Sequence, residues 1–165
     1  MQSTVGSCRD PATPLDDGQI AEIAEAIDFQ QARTARLATS SASDPEVRAF
    51  AGGLLLDHEE EQQSEGVLVK GRRRIDVQPS ALTERFESAA RETRRWPSNE
   101  SGSTFDRDFL ASEVKEQTRQ LDWLDHILVP VVHDPGFGAE LLHRRSIAAP
   151  LLDEASRVPP RLPAP

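Results

Sequence analysis

The chain of 165 residues has one cysteine, Cys8, so it can form no internal disulfide and no cluster of thiolate metal ligands. It has no tyrosine, and aromatic residues make up only 5%. Packing must then rest on Leu, Ile, Val and Ala, which suits helices. No apolar run approaches the roughly 20 residues that a membrane-crossing helix needs, so no transmembrane span is expected. Met1 to Ser7 is too short to hold the apolar region of an export signal. Positive charge is in deficit: 19 Lys and Arg face 28 Asp and Glu, for a net charge of −9 and a pI near 4.9. Such a chain repels phosphate backbones, so nucleic acid is not an expected partner. The one basic cluster, Lys70, Arg72, Arg73 and Arg74, reads as a helix C-terminus, where cations complement the macrodipole. Also missing are a Gly-rich phosphate loop, a Gly-x-Ser-x-Gly elbow and a Cys-x-x-Cys pair.

Helical spacing dominates what is present. A first helix is predicted from Asp16 to Ser41, with Ile20, Ile23, Ile27, Gln31, Thr34 and Ala38 on one face. Ser43-Asp44-Pro45 reads as a turn with Asp as N-cap and Pro at the first helical position. A second helix follows to Arg73, with Val47, Ala51, Leu54 and His58 inward and the glycine pair Gly52-Gly53 inside it. A shorter helix fits Ser80 to Trp96, with Leu82, Phe86 and Ala89 inward. The fourth begins near Thr104, with a stripe of Leu110, Val114, Gln117, Leu121, Leu124 and Leu128, and must kink or end at Pro130. The last spans Gly136 to Arg157, with Leu141, Ala148, Leu152 and Ala155 on one face and a bend expected at Pro150. No period-two strand pattern competes. The reading is an all-α antiparallel bundle over residues 15–157, with four long helices and one short one, a leader at 1–14 and a Pro-rich tail at 158–165.

Gln31, His58 and Gln117 interrupt the apolar stripes in helical register. At 1.5 Å per residue, Gln31 lies about 15 Å and His58 about 20 Å from the turn that joins their helices. A polar layer in the bundle interior follows, with Asp57 beside His58. Two readings of it stand: a hydrogen-bonded layer whose members satisfy one another, or the remnant of a ligand or metal site. Carboxylate-bridged metal sites in bundles need Glu-x-x-His on two helices. Leu55 occupies the Glu position before His58, while His143 and His126 fall on solvent-facing sides of their helices. The glutamates that follow His58 are read as mostly outward. No metal, no cofactor and no catalytic group are therefore expected.

The chain resembles a bacterial, exported, ferritin-like family, domain-of-unknown-function family 4142. The resemblance rests on Ala42-Ser43-Asp44-Pro45-Glu46-Val47-Arg48-Ala49-Phe50-Ala51 followed by Asp57-His58. Phe105-Asp106-Arg107-Asp108-Phe109 and Ala149-Pro150 add to it. It implies a ferritin-like helical bundle in the cell envelope or periplasm, with no established activity. Proteins that look like this tend to carry Glu at the position of Gln31, His at that of Gln117 and another His near Ala155; of that set only Asp57-His58 persists here. Val5-Gly6-Ser7-Cys8 is similar to the end of a lipoprotein signal, which would make Cys8 a lipidated membrane tether; a free thiol in a loose terminus is the other reading. The expected function is non-enzymatic binding or interaction, with a degenerate ferritin-like metal-binding or redox protein as the alternative.

Overall fold

The computed structural model describes residues 15–71 and 102–158, together with Glu84 and Ser88. The leader 1–14, the tail beyond Val158 and most of the short helix read over Ser80 to Trp96 lie outside the described residues. Glu84 and Ser88 themselves are helical and exposed.

Four long helices form where the periodicity places them. Helix α1 covers Asp17–Ser41. It opens with a capping box: the Gln19 N–H donates to Asp16 Oδ1 at 2.8 Å, and the Asp16 N–H donates to Gln19 Oε1 at 3.2 Å. Helix α2 covers Pro45–Gly71, and Asp44 caps it by accepting the Glu46 N–H at 2.8 Å. Arg72 and Arg73, read as its last residues, lie outside the described residues. Helix α3 covers Ser103–Trp123 and follows Gly102, whose φ of 74° is a conformation that favours glycine. Helix α4 covers Pro135–Arg157, capped by Asp134 through the Phe137 N–H at 2.8 Å.

Proline explains the end of α3. Pro130 has no N–H to give the carbonyl four residues back, and its ring crowds that carbonyl. The chain leaves α geometry before reaching it. One π turn spans Leu124–Leu128, with the Val129 N–H reaching back five residues to the Leu124 carbonyl, and a 3₁₀ turn over Val129–Val131 ends the run. Pro150 stays inside α4 on its exposed side, where water can satisfy the carbonyl it frees.

Two carboxylates set the helix directions. Asp106, at the start of α3, accepts hydrogen bonds from the Ser43 N–H at 2.9 Å, the Ser43 hydroxyl at 2.5 Å and the Asp44 N–H at 2.9 Å. That fastens α3 to the α1–α2 turn. At the opposite end Asp17 accepts from the N–H groups of His133 and Asp134 at 2.8 and 2.9 Å, fastening the start of α1 to the start of α4. So α1 and α4 run toward the α1–α2 turn, and α2 and α3 run away from it. Helix α1 packs on α2 and α3, and α4 packs on the same two. Each of these pairs is antiparallel. In sequence, α2 ends far from the α1–α2 turn and α3 begins beside it.

The core is divided in two. Near the α1–α2 turn, Ala35, Ala38, Val47, Phe50, Leu54, Phe105, Phe109, Leu110 and Leu151 form one cluster. At the other end Ile20, Ile23, Ile27, Leu124, Leu128, Phe137 and Leu141 form a second. Between them every helix turns polar inside: Asp28 and Gln31 on α1, His58 and Glu61 on α2, Glu113, Gln117 and Gln120 on α3, Arg144 on α4. This corrects the stripe expected for α3. Val114 and Leu121 are only half-buried, while Ser112, Glu113, Glu116, Gln117 and Gln120 are buried.

Two stability changes follow. Asp106→Ala removes three hydrogen bonds to a buried charged group and should lower the unfolding free energy by roughly 3–5 kcal/mol in urea titrations; a loss below about 1 kcal/mol would contradict the fastening role. A Cβ at Gly53 meets no atom within 4 Å, so no close helix approach requires that glycine, and Gly53→Ala should raise stability by about 0.4–1 kcal/mol.

Candidate functional site

The divided core centres on four ionisable side chains from three helices. Asp28 comes from α1, His58 and Glu61 from successive turns of one face of α2, and Arg144 from α4. Their exposures are 0%, 1%, 3% and 2%. One oxygen of Asp28, Oδ1, lies 3.1 Å from His58 Nδ1. The other, Oδ2, accepts a hydrogen bond from Arg144 Nη1. Glu61 Oε2 approaches the same His58 Nδ1 at 3.0 Å. Glu140, one turn before Arg144, brings a carboxylate oxygen to 3.8 Å from its Nε.

The ring nitrogen between two carboxylates carries at most one proton. Its N–H is aligned on Asp28, and Glu61 meets the nitrogen off that axis, so neither Glu61 oxygen accepts a hydrogen bond. Nε2 of His58 also lacks a hydrogen-bond partner.

The charges respond to one another. Burial alone would drive the His58 pKa down, but the hydrogen bond to Asp28 and the carboxylate of Glu61 outweigh it and lift the group to about 9. For Asp28 burial favours the neutral acid, yet the bond to His58 and the charge of Arg144 overcome that and hold the carboxyl below its usual range. Glu61 goes the other way: burial, with Asp28 nearby, raises it despite the pull of His58.

The residues singled out from sequence divide as follows. Gln31, His58 and Gln117 are all buried. Asp57 is half-buried, and Cys8 lies outside the described residues. The partners of His58 are Asp28 and Glu61, while the amide atoms of Gln117 make no hydrogen bond. His126 and His143 are exposed, as their register requires. One expectation is corrected: Glu61 faces inward rather than outward. The interior also holds the buried carboxyl groups of Asp28 and Glu113. The signal for the missed residues was present. Asp28 follows Ala24 by four and precedes Gln31 by three; Arg144 follows Leu141 by three and precedes Ala148 by four; Glu61 follows His58 by three. Charge argued for an outward face, and the period argued correctly for an inward one.

These features define an antiparallel four-helix bundle with a buried histidine–carboxylate–guanidinium layer. The chain belongs to the family described as Domain of unknown function (DUF4142), whose model matches residues 2–139. No curated protein and no solved structure matches it. The residues that carry the family resemblance mostly build the turn end of the bundle: Ser43 and Asp44 bind Asp106, and the rings of Phe50 and Phe105 lie 6.0 and 6.3 Å from that of Phe109. Arg144 lies beyond the matched span.

The raised pKa of His58 has a direct consequence. Its contribution to stability is complete below its unfolded value of 6.5 and is lost as pH rises toward about 9. Unfolding free energy should fall by roughly 3 kcal/mol across that window, and the raised Glu61 acts in the same direction. Urea titrations at pH 6 and pH 9.5 check this. His58→Gln should flatten the profile; an unchanged slope in that variant would remove His58 as its source.

Proposed function

We propose that this chain is a non-enzymatic binding domain of the bacterial cell envelope, of ferritin-like descent. The observation that carries the reading is the burial of the acid–base groups. Asp28, His58, Glu61 and Arg144 are sealed between two apolar clusters, and each is bound to another member of the layer. General acid–base catalysis needs a group within hydrogen-bond reach of a substrate, and these groups are buried against neighbouring side chains, Glu140 among them. No described helix is long and apolar enough to cross a membrane. In this reading Cys8 tethers the domain to a membrane surface through a lipid. The family resemblance supports the envelope location, and the acidic composition suits a domain that works by contact rather than by holding nucleic acid.

Histidine modification by diethyl pyrocarbonate tests the sealing. The exposed His126, His133 and His143 should react quickly in the folded protein, and His58 should resist. Reaction of His58 at the rate of the other three would overturn the reading, because a substrate could then reach it too. Fractionation of native cells tests the location, with the protein expected in the envelope; recovery in the cytosol would overturn that part.

A further inference from the structure

We infer that Asp28, His58 and Glu61 form an internal site for one divalent first-row transition-metal cation. The inference rests on the binding-domain reading and names what its interior binds.

Geometry comes first. One imidazole nitrogen and two carboxylate oxygens lie within 4.8 Å of one another. The individual separations, 3.1 Å from Nδ1 to Asp28 and 3.0 Å from Nδ1 to Glu61, suit donors around a single ion. An ion bound at about 2.0–2.2 Å from each donor holds neighbouring donors roughly 3 Å apart. His58 and Glu61 are fixed relative to each other by one turn of α2, and Asp28 enters from α1, so the site forms only when the two helices are in register.

The second indication is a carboxylate only partly satisfied. Glu61 is buried and approaches the imidazole nitrogen at 3.0 Å, but that N–H is aligned on Asp28, so neither Glu61 oxygen accepts an aligned hydrogen bond. Buried carboxylates are ordinarily paired or coordinate a metal. Asp28, Glu61 and Glu113 bring three buried carboxyl groups into this layer beside the guanidinium of Arg144, a donor-rich interior of the kind that cations occupy.

Arg144 supports this assignment. It binds Oδ2 of Asp28 and leaves Oδ1 turned toward the other two donors. Ligating carboxylates are ordinarily held by such an outer partner, so Arg144 is a positioning residue. The mixed nitrogen and oxygen donors favour zinc, iron(II) or manganese(II) over calcium and magnesium, which prefer oxygen alone, and over copper(I), which prefers sulfur. The absence of metal expected from sequence rested on Leu55 standing at the Glu position before His58, on the outward register of His126 and His143, and on glutamates after His58 that mostly face outward; the burial of Asp28 and Glu61 removes the last of these grounds.

The test uses the full chain, stripped with a chelator and dialysed. Calorimetric titration with Zn²⁺ should show one ion per chain. Glu61→Gln should weaken binding at least tenfold, while Glu59→Gln, at a half-buried neighbour paired with Arg36, should bind as the natural chain does. Should Glu61→Gln fail to fold, Co²⁺ decides on the natural chain: visible d–d absorption should saturate at one equivalent, and among the four histidines the proton resonances of His58 should be shifted or broadened first. No binding of either ion, equal affinity in Glu61→Gln, or Co²⁺ acting first on His126, His133 or His143 would overturn the site. Those outcomes leave the binding-domain reading standing, since that reading fails instead on rapid chemical modification of His58.

Discussion

Asp28 is the residue on which the interior depends. Its two oxygens answer two helices at once: Oδ1 meets the imidazole of His58 on α2, and Oδ2 takes a hydrogen bond from the guanidinium of Arg144 on α4. A carboxylate with no solvent exposure costs several kcal/mol to dehydrate, and the two partners offset that cost only in one arrangement of the helices. Sliding α4 by a turn would leave the guanidinium and the carboxylate buried apart. An apolar layer of the same volume could be as stable, but it would not specify which turn of α4 faces which turn of α1.

The same device recurs at the two ends with a milder purpose. Asp106 gathers the N–H groups of the α1–α2 turn, and Asp17 gathers those that precede α4. A carboxylate that accepts backbone N–H groups neutralises donors that a turn would otherwise leave unpaired. Three aspartates thus hold three levels of the bundle: both ends and the middle. The two apolar clusters between those levels are built largely of Ala, Leu, Ile and Phe. A chain with no tyrosine fills its remaining interior with an ion-paired layer rather than with aromatic bulk.

Much of this is legible in the sequence. Periodicity and the cap Asp44 place the starts of the long helices within one or two residues, because caps act locally; Pro130 marks the end of the run that follows α3, whose α geometry already stops at Trp123. The burial of Gln31, His58 and Gln117 followed from register alone. What stayed hidden was the identity of the partners. Asp28, Glu61 and Arg144 share the inward register, but a charged residue is usually solvated, and its pairing across 30 or 116 positions of sequence leaves no local trace. On α3 the failure was of the opposite kind. Leu121 and Val114 look like core residues but are half-buried, while Glu113, Glu116 and Gln120 are buried beside the expected Gln117. The geometry of a shared interior, rather than hydropathy, decided that face.

A domain organised this way would act through what it encloses and through the surface it presents, with the layer as the part that sets the shape. The central claim is that Asp28 and Arg144 act as one unit across the bundle. A double-mutant cycle with Asp28→Asn and Arg144→Gln, read by urea unfolding at neutral pH, measures that coupling directly. The account predicts that each single change is more damaging than the pair warrants, with an interaction energy of at least about 1.5 kcal/mol. Additivity within about 0.5 kcal/mol would contradict it.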